Sequence, residues 1–137
     1  MNANGNRAAK KAGKGGGTEL KCWAYAGVVL MAGLSAVLNG YANALHSISP
    51  AAGWGMGLAV PAIILIIARV AGIRYRMGQR RNAYIGVGIG VGLLALSVYH
   101  CAISIALITG SSLWLALPMA VAVDAGLVYC EAQTVLD

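Results

Sequence analysis

Charged residues are scarce in this chain of 137 residues, and acidic ones are scarcer still. Only 10% of the residues are charged, against about 25% in a typical soluble domain, whereas 59% are hydrophobic. One small core cannot bury that much apolar surface, so the composition excludes an ordinary soluble domain. The few carboxylates are too dispersed to act as a catalytic pair: Glu19, Asp124, Glu131 and Asp137.

Sequence signals of catalysis and of covalent cross-linking are missing as well. The chain contains no P-loop, no G-x-S-x-G motif and no H-E-x-x-H motif. Three cysteines with no matched pair on the outer side imply no disulfide framework. We therefore predict a protein that is not an enzyme and that holds no metal and no cofactor.

Long apolar runs are what the sequence has in abundance. Four of them approach the ~20 residues that a membrane-spanning helix needs, at 22–45, 54–73, 83–109 and 113–130, the last being short unless it continues through Val135. The segment 61–68 is apolar at every position, whereas a barrel strand would alternate. We predict an all-α polytopic membrane protein in which residues 22–137 form four transmembrane helices, as two tandem helical hairpins.

The distribution of positive charge predicts the orientation of these helices. All ten Lys and Arg residues lie in segments 7–21 and 69–81, and the two other loops contain none. Positive residues are retained on the cytoplasmic side. Both termini are therefore predicted to face the cytoplasm, with the chain in the cell inner membrane or in a virion membrane.

The first 21 residues are rich in Gly, Ala, Asn and Lys, and we predict a disordered basic tail there. The apolar run that follows exceeds the length of a signal peptide, so the first span is expected to stay uncleaved. Basic residues of the tail and of the middle loop are predicted to make weak contacts with anionic lipid or with DNA, besides their role in topology: Lys10, Lys11, Lys14, Arg74, Arg76, Arg80 and Arg81.

The two predicted hairpins are similar in sequence. Leu34-Ser35 matches Leu96-Ser97, and the residues Trp54 and Pro61 match Trp114 and Pro118. Because both hairpins start on the same side, a symmetry axis relating them would run along the membrane normal. Chance similarity between apolar segments is the alternative explanation.

Small residues recur every fourth position in two of the spans, a spacing that lets helix backbones approach closely. We predict that the first and third helices lie near the centre of the bundle or at a self-association face. A glycine hinge or a pore lining is the alternative. The residues are Ala32, Ala36 and Gly40 in the first span, and Gly86, Gly88, Gly90 and Gly92 in the third.

Asp124 is the most informative single residue, because a rise of ~1.5 Å per residue places it roughly 16 Å from the start of its helix, near mid-membrane. An ionisable group at that depth is expected to face the bundle interior and to have a partner. His100 lies at a similar depth, and Arg69 is a second candidate. The predicted intramembrane polar site adds residues that share helix faces: Asn39, Asn43, Ser97 and Ser104. It would serve either as a structural hydrogen-bond clamp or as a path for protons or ions.

A motif resemblance points to a class of protein. Leu96-Ser97 is followed by Leu115-Ala-Leu-Pro-Met-Ala-Val-Ala-Val-Asp124-Ala-Gly, and Asn43-Ala-Leu-His46 ends the first run. These elements resemble those of small four-helix membrane proteins of actinobacterial plasmids and phages, although Asp-Ala-Gly stands here in place of the family's Asp-Gly. That family includes plasmid-spread proteins associated with DNA transfer during conjugation. The resemblance implies a membrane protein encoded by a mobile element.

Three functions are compatible with these observations. The preferred one is a self-associating, non-enzymatic membrane protein that contacts lipid, other membrane proteins and DNA during transfer or assembly. The second is a small ion- or proton-coupled transporter that uses Asp124 with His100. The third is a holin-like pore-former, which would dissipate the membrane potential when expressed.

Overall fold

Four helices make up the described part of the chain. The computed structural model describes the backbone of residues 3–135 and the side chains of residues 18–134. Its elements are α1 (Ala3–His46), α2 (Pro50–Arg76), α3 (Arg80–Thr109) and α4 (Leu113–Val135). Four segments are long and apolar enough to span a membrane: Thr18–His46, Pro50–Arg76, Arg80–Thr109 and Leu113–Thr134. The predicted all-α fold with four candidate spanning helices is confirmed.

The helices extend beyond the apolar runs because helical hydrogen bonding continues until a residue stops it. Pro50 starts α2 at the first helical position, where a missing N–H costs no hydrogen bond. Gly110, with φ of 64°, ends α3 in the left-handed conformation, and its N–H bonds to the carbonyl of Ala106. Gly78, with φ of 76°, makes the turn between α2 and α3. Helix α4, which the apolar run left short, continues through Val135.

The basic tail predicted over residues 1–21 overlaps the beginning of α1. The side chains of residues 1–17 lie outside the described part of the chain, and those of Lys10, Lys11 and Lys14 are among them. The disorder and the basic surface predicted for this segment stay predictions.

Helices α1 and α2 form an antiparallel hairpin whose backbones touch. A Cβ atom added to Gly53 would lie 2.6 Å from Cα of Ala44, and one added to Gly57 would collide with the backbone of Gly40. Gly40 also lies under the ring of Trp54. The small residue predicted to mediate packing at position 40 therefore does so within the chain, between α1 and α2.

Three contacts between the two hairpins share a sequence spacing of 62 residues, whereas others are spaced by 58, 66 or 89 residues. On the α1–α3 side, Ser35 contacts Ser97, and Asn39 contacts Cys101. On the α2–α4 side, Arg69 pairs with a carboxylate 62 positions further along the chain. Such a register fits two hairpins that repeat along an axis parallel to the helices. The Trp54–Trp114 and Pro61–Pro118 matches have spacings of 60 and 57, so they fall out of this register.

The outside of the bundle is apolar along its length. Large apolar side chains are exposed on all four helices, and examples are Val29, Ile66, Val91 and Val121, each at least 46% exposed. The inside holds a small apolar core between α1, α3 and α4, made of Leu38, Cys101, Ala102, Ile105, Ala116 and Ala120. An apolar exterior around a partly polar interior is the arrangement that a bilayer stabilises.

Candidate functional site

Five polar side chains from three helices meet at the centre of the bundle, and we call them the polar cluster. All five are 0% exposed to solvent: Ser35 and Asn39 on α1, Ser97 and Cys101 on α3, and Asp124 on α4. The two residues from α1 are one helical turn apart, and so are the two from α3. That spacing places each pair on one helix face, and the two faces meet along the α1–α3 contact.

Ser35 connects the three helices. Its hydroxyl group donates a hydrogen bond of 2.7 Å to Oδ1 of Asp124 on α4. Its Oγ atom also lies 3.3 Å from Oγ of Ser97 on α3. One small side chain on α1 therefore holds both neighbouring helices in a fixed register.

Asn39 completes the link between α1 and α3. Its Nδ2 atom lies 2.8 Å from Oγ of Ser97 and 3.3 Å from Sγ of Cys101. The same nitrogen lies 2.9 Å from the backbone carbonyl of Ser35. An amide nitrogen carries two hydrogen atoms, so these acceptors share them, and the cluster contains more acceptors than Asn39 can serve.

Two oxygen atoms of the polar cluster have no hydrogen-bond partner. They are Oδ2 of Asp124 and Oδ1 of Asn39, and both are buried. An unpaired acceptor in an apolar interior carries a desolvation penalty of about 1–3 kcal/mol, and more for a charged group. Chemically, a proton would bind at the carboxylate oxygen of Asp124, whereas a small cation would bind at either oxygen.

The structure brings together several of the residues predicted for the intramembrane site. Asn39, Ser97 and Asp124 belong to the polar cluster. Ser104 bonds across the same helix contact, to the backbone carbonyl of Leu38. Asn43 stays on its own helix, where its Nδ2 atom bonds to the carbonyl of Asn39 at 2.8 Å.

His100 is not part of the polar cluster. Its ring centroid lies 6.0 Å from that of Tyr99, and its buried Nδ1 atom has no hydrogen-bond partner. At about 100° per residue, His100 points about 60° around the helix from Ser97. Depth in the membrane suggested the pairing of His100 with Asp124, but depth does not fix the direction of a side chain around its helix axis.

Arg69 pairs with Glu131 and not with Asp124. Its Nη1 atom lies 3.5 Å from Oε1 of Glu131, and the side chains are 54% and 8% exposed, respectively. Glu131 follows Asp124 by two helical turns on α4, so Arg69 reaches the carboxylate nearer to its own end of the bundle. This ion pair corrects the suggestion that Arg69 serves Asp124.

Three site residues escaped the sequence argument: Ser35, Cys101 and Glu131. Ser35 carried a usable signal, because it lies one turn before Asn39 and matches Ser97 in the repeat. Glu131 carried one too, since it lies two turns after Asp124 and therefore on the same helix face. Cys101 shares a face with Ser97, but its thiol chemistry gave no reason to separate it from apolar filler.

The glycines of α3 divide between two faces. A Cβ atom at Gly86 would lie 3.2 Å from that of Ala71, and one at Gly90 would lie 3.6 Å from Cγ2 of Ile67, so this pair packs against α2. Gly88 and Gly92 have nothing within 4 Å and face outward. On α1, Ala36 is buried and Ala32 half-buried.

Four arginines form what we call the basic end of the bundle. They lie within eight residues at the turn from α2 to α3, and all are exposed: Arg74, Arg76, Arg80 and Arg81. Arg74 donates a hydrogen bond of 3.2 Å to Oε1 of Gln79. Their positive charge is therefore available to an anionic partner.

Comparisons with known proteins give no counterpart for this arrangement. No family model matches the chain, and no significant match exists among curated proteins or among solved structures. Among the described side chains, no three His, Cys, Asp or Glu residues are grouped as metal ligands would be. The function must therefore be inferred from the residues themselves.

Proposed function

We propose that this protein is a non-enzymatic integral membrane protein that self-associates and uses its basic end to contact DNA or a partner protein. The supporting observation is a contrast between inside and outside. The polar cluster uses most of its hydrogen-bonding groups within the bundle. The basic end and the outer glycine pair of α3, which is Gly88 and Gly92, face outward instead. Transfer or assembly of a plasmid or phage is the context that the motif resemblance suggests.

Self-association is proposed for the outer glycine pair, Gly88 and Gly92. Both leave open space where a side chain would be, and they are one turn apart on an exposed helix face. In lipid, helices associate through close van der Waals contact, which small residues at this spacing permit. A second copy of the chain could approach α3 there without displacing any side chain of the bundle.

DNA or an acidic protein segment is the partner proposed for the basic end. The segment 74–84 has four arginines and no carboxylate. Arginine binds phosphate and carboxylate groups through paired N–H donors. Contacts with DNA phosphates would release counterions, so such binding is expected to weaken steeply with salt. Positive residues remain on the cytoplasmic side, so we place the basic end and both termini there.

The decisive experiment replaces all four arginines of the basic end with glutamine, with a fourfold Arg→Lys variant as the matched control. Retention of DNA and cross-links to partner proteins should be lost in the Gln variant and largely kept in the Lys variant. If the Gln variant inserts normally and keeps every contact, the proposal is wrong.

Insertion must be checked separately, because removal of positive charge can invert a membrane protein. Cys22 is exposed, whereas Cys101 is buried, so Cys22 offers a native site for a membrane-impermeant thiol reagent. It belongs to the end of α1 that lies on the side of the basic end. Unchanged labelling from one side would show that the Gln variant has kept its orientation.

A second candidate, a small proton- or ion-coupled transporter, is favoured by one observation. Asp124 and Asn39 each present a buried oxygen with no hydrogen-bond partner, and carboxylates at this depth are typical of ion pathways. In this function Asp124 would act without His100. Reconstituted protein whose flux is unchanged by Asp124→Asn would exclude it.

A further inference from the structure

Two apolar grooves flank the contact between α2 and α3, and both extend to the basic end. One of them, which we call the α4-side groove, has a volume of about 340 Å³ and is walled by α2, α3 and part of α4. The other lies on the opposite side of the same contact and has a volume of about 350 Å³. The grooves share the seam residues Ile67, Ala71 and Gly86.

Glycine and alanine at the seam create these grooves. Gly86 and Gly90 carry no side chain, so α3 packs close to Ala71 and Ile67, and the grooves lie beside this contact. Along α2 the α4-side groove extends from Ile64 to Arg76, which at ~1.5 Å per residue is roughly 18 Å. Its length follows the helix axes, the direction in which a lipid acyl chain lies.

The mouth of each groove has a positive charge. Arg76 lines the α4-side groove, together with Tyr75 and Tyr84, and Arg74 lines the other. Tyrosines are enriched at the level of lipid headgroups. Each groove therefore combines an apolar channel with a cationic end at headgroup depth, and this combination occurs twice on one helix pair.

We propose that the α4-side groove binds an anionic phospholipid, with an acyl chain along the seam and the phosphate on Arg76. The carboxylate of Glu131 on the groove wall does not oppose this, because it is paired with Arg69 at 3.5 Å. Arg69 precedes Arg76 by two helical turns. The Glu131 carboxylate, which is paired with Arg69, therefore lies roughly 10 Å deeper in the bundle than the lipid phosphate on Arg76. A second copy of the chain is the weaker candidate, because Gly88 and Gly92 provide a separate outward face.

The test measures lipid binding by the full chain in detergent, using native mass spectrometry and thermal unfolding. Phosphatidylglycerol is compared with phosphatidylcholine that carries the same acyl chains. Gly90→Leu fills the groove, whereas Gly33→Leu adds the same side chain on α1 at a position with nothing within 4 Å. Arg76→Gln removes the charge at the mouth, and Arg80→Gln removes one that lines neither groove.

Phosphatidylglycerol should bind more tightly than phosphatidylcholine. Gly90→Leu should abolish this preference, Arg76→Gln should weaken it about fivefold, and both control variants should keep it. Equal binding of the two lipids, or equal effects of Gly90→Leu and Gly33→Leu, would overturn the proposal. The proposal would also be overturned if Gly90→Leu changed the oligomeric state of the protein and left its lipid binding unchanged. Arg76→Gln leaves the helix seam untouched, so it tests the site even if Gly90→Leu fails to fold.

Discussion

Ser35 and Ser97, which lie 62 residues apart, place their hydroxyl oxygens 3.3 Å from each other at the contact of α1 and α3. They are matching positions of the two similar hairpins. Arg69 and Glu131 show the same spacing on α2 and α4. Equivalent positions of a repeat meet in this way when they lie close to the axis that relates the two halves. The α1–α3 contact and the α2–α4 contact are therefore joined at the same sequence offset, one by a polar pair and the other by an ion pair.

Ser35→Ala should destabilise the bundle, because Ser35 donates the 2.7 Å hydrogen bond to Asp124. We expect a loss of about 0.6–1.7 kcal/mol, the range measured for hydrogen bonds between membrane helices. Unfolding in mixed detergent micelles would measure it. Ser49→Ala, at an exposed position before α2 where the side chain makes no capping hydrogen bond, is the control and should change stability little. Equal effects of the two substitutions would contradict a structural role for Ser35.

Asp124→Asn should leave the bundle at least as stable as the original. The amide keeps an oxygen for the Ser35 hydroxyl group and removes a charge that no described cationic side chain pairs with. Asp124→Ala, in contrast, should destabilise the bundle by about 1–3 kcal/mol, because donors of the cluster lose their acceptor. Thermal unfolding compares the two variants. Marked destabilisation by Asp124→Asn would show that the cluster requires the carboxylate itself.

Arg69→Gln should lower the free energy of unfolding more than Glu131→Gln does. Glu131 is only 8% exposed, whereas Arg69 is 54% exposed, so loss of the arginine leaves a buried carboxylate without its partner. Loss of the carboxylate leaves an arginine that can extend towards the headgroups. Breaking the buried side of a pair costs about 3–5 kcal/mol in soluble proteins, and the exposure of Arg69 should reduce that value here.

The double variant Arg69→Gln/Glu131→Gln provides the control for this pair. It should recover most of the stability lost in Arg69→Gln, because no uncompensated charge remains. A double variant as unstable as the sum of the two single variants would show that the ion pair does not couple α2 to α4.

Gly57→Ala should disrupt the first hairpin, because its Cβ atom would collide with the backbone of Gly40. Forcing a methyl group into a closed contact typically costs about 1–3 kcal/mol. Gly55→Ala is the matched control, since a Cβ atom there meets nothing within 4 Å. Helix propensity favours Ala over Gly by about 1 kcal/mol, so the control should be neutral or stabilising. Similar unfolding curves for the two variants would refute the close backbone contact.

The spans were predictable because hydropathy and length alone select helices in a bilayer. Their ends were not, because helices continue through polar residues such as Arg74 and Arg76 until a turn residue intervenes. Gly78 and Gly110 stop two of them through positive φ angles. No hydropathy window detects a backbone conformation of that kind.

The residues of the polar cluster were easier to predict than the hydrogen bonds and ion pairs that they form. Asn39, Ser97 and Asp124 stood out in the sequence because a polar group in an apolar run requires a partner. The sequence nevertheless suggested His100 and Arg69 as partners of Asp124, whereas the structure supplies Ser35. Depth along a helix is fixed by residue count, but the direction around its axis depends on how the helices pack.

The sequence by itself determined that this is a four-helix protein with an apolar exterior, because burial of so many apolar residues requires lipid around it. Only the tertiary structure decided which glycines pack inside and which face outward, that Glu131 neutralises Arg69, and that the polar groups converge on Ser35. These outcomes depend on the register and rotation of each helix against its neighbours. Side-chain contacts between neighbouring helices set both.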